Sequence, residues 1–194
     1  RKKAHCVMPS KEFSDSPKRS RIVNILNNCL AIHLEYGPLP ELEVDQTNRY
    51  HDLDAESWKF QCGYLVYQSF MDANSKCHWN KSLLEAISSL QYLGYISPGV
   101  LLVTCSPKNL EAVRAAWGRK VLKSPKGYRI YLVCDLESCV AKSVPQSQFT
   151  PLPEALCWVI HEVTSSNKKA HMKTITNYLQ SRFPDISIPE AEIV

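Results

Sequence analysis

The spacing of apolar residues in the first half of the chain predicts three helices. Over residues 21–36, apolar side chains recur every three or four positions, and residues 37–40 contain the glycine and prolines that end such a helix. Ser57 suits a helix N-cap, and the apolar side chains of residues 58–71 fall on one helical face. The same spacing over residues 81–95 predicts a third helix.

The pattern then changes to short apolar runs, which predict strands. Residues 99–105 form one buried strand, and Ser106 with Pro107 begins a helix that continues through Trp117. Residues 121–133 predict a β-hairpin, because two apolar runs flank a Ser-Pro-Lys-Gly turn with proline and glycine where a type I turn prefers them.

Two more helices are predicted near the C-terminus, over residues 152–163 and 171–183, and a third helical segment opens at residue 188. Helix, loop, helix, turn and helix in this order open a winged helix-turn-helix, whose third helix enters the major groove of DNA. Glu190 and Ala191 start that recognition helix, and the chain ends within its first turn.

These elements predict an α+β protein that is mainly α, with tandem winged-helix-like units of which the second is truncated at its third helix. The predicted organisation has five parts: a flexible basic arm (1–20), a helix and acidic linker (21–56), an N-terminal winged-helix-like domain with a basic hairpin (57–134), a linker (135–148) and an incomplete winged-helix domain (149–194).

Composition and cysteine usage narrow the class of protein. The 194 residues are 44% hydrophobic and 22% charged, which is ordinary for a folded protein. No apolar run approaches the ~20 residues that a membrane-spanning helix needs, so no membrane association is expected. The eight cysteines include no Cys-x-x-Cys pair and several lie in apolar surroundings, which favours a reducing compartment.

Charge is unevenly distributed along the chain. Residues 1–21 carry seven basic and two acidic side chains, residues 41–56 carry one basic and six acidic, and residues 107–130 carry seven basic and one acidic. Because local potential rather than net charge attracts polyanions, the last of these segments is a candidate nucleic-acid surface.

The predicted hairpin and the helix before it supply most of the candidate phosphate contacts. Lysine and arginine on a protruding hairpin can neutralise DNA phosphates and release counterions. The alternative is a solvated edge, since lysines on edge strands also prevent unwanted strand pairing. The candidates in this segment are Arg114, Arg119, Lys120, Lys123, Lys126 and Arg129, and those of the second unit are Lys168, Lys169 and Lys173.

The N-terminal arm contains two candidate regulatory motifs. Ser16-Pro17 is a candidate site of proline-directed phosphorylation, which would add negative charge to a basic patch. Lys18, Arg19 and Arg21, together with the basic residues 1–3, resemble a two-part nuclear import signal, although basic arms are common.

Catalytic and metal-binding motifs are not evident in the sequence. Cys77-His78 and the Cys134–Cys139 pair do not supply the two close ligand pairs of a zinc site, so neither a metal nor another cofactor is expected. The sequence has no glycine-rich phosphate loop and no Gly-x-Ser-x-Gly elbow. The chain is therefore expected not to be an enzyme and to have no small-molecule substrate.

Two blocks of residues resemble the storkhead-box proteins. The first contains Cys77-His78-Trp79-Asn80, Gly94-Tyr95, Gly99-Val100-Leu101-Leu102-Val103, Ala116-Trp117 and Pro125-Lys126-Gly127-Tyr128. The second contains Gln146-Ser147-Gln148-Phe149-Thr150-Pro151-Leu152, Glu154-Ala155-Leu156-Cys157, Tyr178-Leu179, Phe183-Pro184 and Ile188-Pro189. Together they cover about residues 76–134 and 146–194, over half of the chain.

The resemblance implies a winged-helix domain similar to forkhead domains, DNA binding and transcriptional control in the nucleus, with a cytoplasmic pool as well. It also implies roles in cell division and neural development. The expected partner is double-stranded DNA, with transcriptional or cell-division proteins as further partners. The alternative hypothesis is a protein–protein interaction module or adaptor acting in cell division or neural development without direct base readout.

Overall fold

The computed structural model describes residues 28–37, 63–96, 99–137 and 140–187. Within these ranges the chain forms five strands and five helices. The strands are β1 (Cys29–Tyr36), β2 (Gln91–Ile96), β3 (Val100–Thr104), β4 (Tyr128–Glu137) and β5 (Val140–Ser143). The helices are α1 (Gly63–Ser75), α2 (Lys81–Ser89), α3 (Pro107–Gly118), α4 (Leu152–Ser165) and α5 (Met172–Arg182).

The strands form a single five-stranded sheet in the order β2-β3-β1-β4-β5, and every neighbouring pair is antiparallel. The first strand of the described residues, β1, is thus the central strand of the sheet. The prediction of a mainly α protein with tandem winged-helix-like units was therefore wrong, because the sheet is a principal layer of the fold rather than a wing added to helices.

The helix predicted for residues 21–36 was wrong where the structure describes it, because residues 29–36 form β1. Leu30, Ile32 and Leu34 alternate toward the core as strand residues do, but Cys29 and Ala31 between them are also buried. Burial on both faces conceals the two-residue period and produces spacings that fit a helix equally well.

The helix predicted for residues 81–95 ends six residues early. Asn80 caps α2 by accepting a hydrogen bond from the Leu83 amide at 3.0 Å, and Leu90 leaves the helix with an extended conformation. The following strand β2 is rich in aromatic and β-branched residues, which favour a sheet. The paired strand β3 agrees with the prediction for residues 99–105.

The predicted hairpin over residues 121–133 was also wrong. Val121 and Leu122 are buried in the core and pair with no strand. Strand β4 instead pairs with β1 on one side and with β5 on the other. Residues 135–148, predicted to be a linker, accordingly include the end of β4 and all of β5.

Helices α1, α2 and α3 cover one face of the sheet and, with it, form an α/β layer. Phe70, Ile87 and Leu110 are fully buried against sheet residues such as Leu30 and Leu101. Burying a side chain of this size contributes about 1.5–3 kcal/mol relative to leaving it in water. The predicted start of α3 is confirmed, since Ser106 caps it and Pro107 is its first residue.

Helices α4 and α5 lie close to their predicted bounds and form a C-terminal helix pair that joins the same core. Val159, Val163 and Leu179 belong to one continuous buried cluster with Val121 and Trp117. The helix pair is therefore packed onto the α/β layer rather than separated from it by a linker.

Polar contacts fix the orientation of the helix pair. Glu154 of α4 accepts hydrogen bonds from Arg119 at 2.8 Å and from the Asn80 amide at 2.8 Å, and its side chain is only 14% exposed. The Trp158 indole of α4 donates to the Val121 carbonyl at 3.0 Å. Directional bonds of this kind, added to the shared core, set the orientation of α4 as well as its attachment.

Candidate nucleic-acid interface and the adjoining basic groove

Three of the predicted phosphate contacts are engaged inside the protein. Arg114 pairs with Asp135 of β4 at 2.7 Å and with Glu111 at 3.1 Å. Arg119 holds Glu154, and Lys123 lies 3.2 Å from Glu162 with only 7% of its surface exposed. A cation that already faces a carboxylate in a partly buried site neutralises that carboxylate first, so these three residues join elements of the fold.

Two further candidates also have carboxylate partners. The Lys120 ammonium lies 3.6 Å from Asp185, and its backbone has a positive φ of 62°. Arg129 of β4 donates to Glu35 of β1 at 2.6 Å, in an ion pair across the exposed sheet surface. Exposed pairs of this kind are weak and can exchange partners, so they remain accessible to other anions.

Lys126, Lys168, Lys169 and Lys173 are all exposed. The ammonium of Lys168 donates to the Tyr178 hydroxyl at 3.0 Å and lies 5.5 Å from the centre of that ring. Within the described residues, the ammonium groups of Lys126, Lys169 and Lys173 have no hydrogen-bond or ion-pair partner. Their charges are available to an external anion.

Lys168, Lys169 and Lys173 are grouped around the start of α5. The loop turns sharply there, with Asn167 at a positive φ of 54° and the Lys168 amide bonded to the Val163 carbonyl at 3.1 Å. His171 precedes the helix but makes no side-chain capping bond. The first amides of α5 and the positive end of its dipole therefore add to the charge of the three lysines.

A groove runs along the junction between the α/β layer and the C-terminal helix pair. Its walls are the C-terminal half of α1, residues 122–128, the end of α4 with the loop after it, and Arg182, and its volume is about 680 Å³. We call it the basic groove, because the described residues of its wall include five cations and two carboxylates. The cations are Lys76, Lys123, Lys126, Lys168 and Arg182, and the carboxylates are Asp72 and Glu162.

The floor of the basic groove is held by contacts to Lys123. Its ammonium lies 2.6 Å from His161 Nδ1 and 5.1 Å from the centre of the Trp158 ring. The Arg182 guanidinium lies over the same ring at 5.1 Å and donates to the Lys120 carbonyl at 2.9 Å. The partial negative charge of the ring face attracts each of these two cations.

Burial, followed by the charge of Lys123, lowers the pKa of His161 below its ordinary value. The imidazole is therefore neutral at pH 7, and its Nδ1 can accept a hydrogen bond from the Lys123 ammonium. The Ser165 hydroxyl lies 3.3 Å from the same nitrogen.

Sequence reasoning missed four residues of this groove, Lys76, Trp158, His161 and Arg182. None of the four is among the candidate phosphate contacts that the sequence predicts. The groove joins α1, a loop and two later helices that are far apart in the sequence. Periodicity within one element therefore carries no signal of it.

Several predicted residues lie outside the described ranges, and their roles stay predictions. These are the candidate recognition-helix residues Glu190 and Ala191, the import residues Lys18, Arg19 and Arg21, and the phosphorylation candidate Ser16. Among the described residues, no group of three or more His, Cys, Asp or Glu side chains could hold a metal ion. No helix in the described ranges is both long and apolar enough to span a membrane.

Comparison with known proteins connects this architecture to one family. The family model for the winged helix Storkhead-box1 domain matches residues 141–194, which include most of β5 and the C-terminal helix pair. Storkhead-box protein 1 of Mus musculus is 32% identical over 132 residues, which cover 68% of this chain and 13% of that protein. Stork-head box protein ham-1 of Caenorhabditis elegans is 30% identical over 136 residues, which cover 70% of this chain and 32% of that protein.

Each relative matches more than two thirds of this chain, so the similarity extends well beyond the winged-helix domain. The chain spans less than a third of the length of either relative. No solved structure matches the chain.

Proposed function

The chain belongs to the storkhead-box family, and from this we propose that it acts in a DNA-binding transcription regulator whose winged helix contacts duplex DNA. Winged helices contact DNA with a helix in the major groove and with basic side chains on the phosphates. The α/β layer holds α4 in a fixed orientation and so orients the helices that follow it.

The observation that carries this proposal is the grouping of Lys168, Lys169 and Lys173 at the positive end of α5. Helix N-termini bind phosphate readily, because free amides and the helix dipole both favour an anion there. These three lysines are the best candidates for backbone contacts. Arg114, Arg119 and Lys123 are weaker candidates because each holds a carboxylate of the fold.

Phosphate contacts position a protein on DNA, and contacts to base edges specify the sequence. The segment that opens at Glu190 and Ala191 is our candidate for the base-reading helix. The division of roles predicts that the described surface binds duplexes with little sequence preference and that preference depends on the third helix.

The test is duplex binding by the whole chain between about 50 and 200 mM salt, compared with a variant in which Lys168, Lys169 and Lys173 are all replaced by glutamine. A plot of log affinity against log salt has a slope of about −0.9 for each phosphate neutralised. We expect the triple variant to have a slope shallower by about 2 to 3.

A matched control replaces Lys81, Lys108 and Lys142 by glutamine, since these exposed lysines lie on α2, α3 and β5 and change the net charge equally. Equal loss of slope in both triple variants would mean that overall charge, rather than the start of α5, attracts the DNA. Absence of binding by the unmodified chain at 50 mM salt would overturn the proposal.

A protein-interaction module is the second candidate function, and one observation favours it. Phe149 is 76% exposed, although the residues on both sides of it are fixed. The Gln148 amide donates to the Gly118 carbonyl at 3.1 Å, and the buried Thr150 hydroxyl donates to the Arg119 carbonyl at 2.6 Å. An aromatic side chain held in place before binding is a typical anchor for a partner protein.

The two candidate functions separate on salt dependence. Binding through Phe149 would depend weakly on salt and would be lost in Phe149→Ala. DNA binding would depend strongly on salt and would be retained in Phe149→Ala. Because Phe149 is exposed, its replacement should change the free energy of unfolding by less than about 1 kcal/mol.

A further inference from the structure

The two edge strands of the sheet differ in length and in charge. At one edge, β5 has four residues, and Lys142 is one of them. At the other edge, β2 has six residues and no charged side chain, and within the described residues it pairs with β3 alone. Short strands and lysines protect sheet edges from pairing with other chains. The β5 edge is protected in this way, and the β2 edge is not.

Apolar side chains flank the β2 edge on both faces of the sheet. On the core face, the Tyr64 ring at the start of α1 lies 5.6 Å from the Tyr92 ring of β2, and Tyr64 is 45% exposed. On the opposite face, Ile96 shares a register with Val100 and His33 and is 54% exposed. Exposed apolar groups that adjoin one another commonly mark a surface that another protein covers.

The segments that form this edge carry no charge. Residues 63–71 of α1 and residues 91–96 of β2 include no Asp, Glu, Lys or Arg, although 22% of the chain is charged. A strand with charged side chains would bring like charges together if it paired with its own copy. The β2 edge meets no such repulsion from a second copy of the chain.

We propose that two copies of the chain pair through β2, edge to edge and antiparallel, so that their two sheets become one continuous sheet. The pair would have two-fold symmetry about an axis perpendicular to the sheet, with both α1 helices on the same face. The proposal is independent of DNA binding, because none of the candidate DNA contacts lies within residues 63–71 or 91–96.

A second copy of β2 has the side chains that this edge requires. A strand added to a sheet edge directs its side chains alternately to the two faces, so here both sets need to be apolar or aromatic. Tyr92 and Tyr95 of β2 are paired with the buried residues of β3 and lie on the core face, and Ile96 lies on the other. The strand therefore complements its own surroundings on both faces.

The size of this surface predicts a weak dimer. Six strand residues are about 20 Å long, and only the start of α1 lies beside them. Stable interfaces bury about 800 Å² on each partner, which exceeds what one strand edge and one helical turn provide. We therefore expect a dissociation constant of about 10–100 μM.

The test is sedimentation velocity of the whole chain from about 5 to 300 μM, at about 150 and 500 mM salt. The apparent mass should rise with concentration from the 22.1 kDa of one chain toward twice that value. Salt does not screen backbone pairing or apolar burial, so the association should persist at the higher salt, whereas association through nucleic acid would weaken. A chain that stays monomeric throughout would overturn the proposal and would mean that the irregular register at Leu93 protects the edge.

The variant is Leu93→Lys, which places a charge in the middle of β2 at a position that is 37% exposed. Two lysines at the shared edge repel each other, so the dissociation constant of the dimer should rise about tenfold or more. The matched control is Val140→Lys, which adds the same charge at an exposed position of β5 and should leave the constant unchanged. Equal weakening in both variants would overturn the proposal, because net charge would then account for the loss.

Melting curves measured by circular dichroism check that the variant folds. If Leu93→Lys melts at a lower temperature than the unmodified chain, Ile96→Lys takes its place, because Ile96 is more exposed. The prediction for the dimer is the same for either variant.

Hydrogen exchange locates the contact between the copies. Amides of β2 should exchange more slowly at about 300 μM than at 5 μM, and those of β5 should not change. Phe149→Ala should leave the dimer intact, which separates this edge from the partner surface proposed at Phe149. Loss of the dimer in Phe149→Ala, or slower exchange at β5 in place of β2, would overturn the assignment to β2.

Discussion

The side-chain amide of Asn74 is bonded to the main chain of Lys123 in both directions. Its Nδ2 donates to the Lys123 carbonyl at 2.8 Å, and its Oδ1 accepts from the Lys123 amide at 2.8 Å. Asn74 thereby satisfies the backbone of a buried residue that pairs with no strand. This contact joins the end of α1 to the loop that forms the floor of the basic groove.

Asn74→Ala should therefore be strongly destabilising. Asn74 is fully buried, and its loss would leave the carbonyl and amide of Lys123 without their partner. An unsatisfied buried polar group costs about 1–3 kcal/mol, and we expect a loss of about 2–4 kcal/mol in the free energy of unfolding measured in urea. Ser75→Ala, at an exposed neighbouring position, should change it by less than about 0.5 kcal/mol. Similar values for the two variants would contradict the role assigned to Asn74.

Glu154 should couple energetically to Arg119. Their side chains are 14% and 23% exposed, so each depends on the other for charge compensation. In a double-mutant cycle of Glu154→Ala and Arg119→Ala, we expect a coupling energy of about 1–3 kcal/mol. The exposed pair Asp72 and Lys76 provides the comparison and should give about 0–1 kcal/mol. Coupling of the same size in both cycles would show that the Glu154 contact adds nothing beyond a surface ion pair.

Gly99→Ala should unfold the protein or destabilise it severely, whereas Gly118→Ala should be tolerated. A Cβ at position 99 would collide with the Leu34 carbonyl oxygen, which belongs to the central strand and cannot move freely. A Cβ at position 118 would meet the exposed Gln148 side chain at 2.9 Å, and that side chain can turn aside. Circular dichroism melting curves of the two variants give the comparison. Equal melting temperatures would rule out the tight approach of residue 99 to β1.

Stability should fall as the pH is lowered from about 7.5 to 5.5. The pKa of His161 is below its ordinary value of 6.5 in the folded protein, so the unfolded chain takes up a proton at higher pH than the folded one. The contribution of His161 to the free energy of unfolding is thus fully present above about pH 7, and it declines below about pH 6.5. The charged groups that face His161 are Lys123, Glu162, Lys76 and His78.

The check is the free energy of unfolding of the unmodified chain and of His161→Gln at three pH values. The variant should lose less stability between pH 7.5 and 5.5. It should retain part of the dependence, because burial also lowers the pKa of His33. Identical pH profiles for the two proteins would exclude His161 as a source of the pH dependence of stability.

The sequence predicted helices best where one face is buried and the ends are marked. Helix α3 is an example, since Ser106 caps it and Pro107 begins it. The prediction from the sequence failed at β1, because Cys29 and Ala31 are buried as well as Leu30 and Ile32, and this burial hides the alternation of a strand. It failed again at Val121, which occupies the core through tertiary packing that no local pattern records.

In the candidate site, too, the sequence predicts some features and not others. The exposure of Lys169 and Lys173 follows from the polar loop and helix start that contain them. By contrast, the sequence cannot distinguish Lys123, which is buried against Glu162, from Lys126, which is exposed three residues later. Charge partners that are distant in sequence decide which lysines are available, and the basic groove exists only after those partners meet.

The position of β1 at the centre of the sheet has a consequence for how the protein folds. Glu35 of β1 and its partner Arg129 of β4 are 94 residues apart in the chain. Contacts between such distant segments are slow to form, because a long loop must close before any pairing energy is gained. During synthesis, β1 must therefore wait until residues 100–137 have emerged from the ribosome before both of its partner strands are present. A fragment that begins after Tyr36 lacks the strand on which both halves of the sheet assemble.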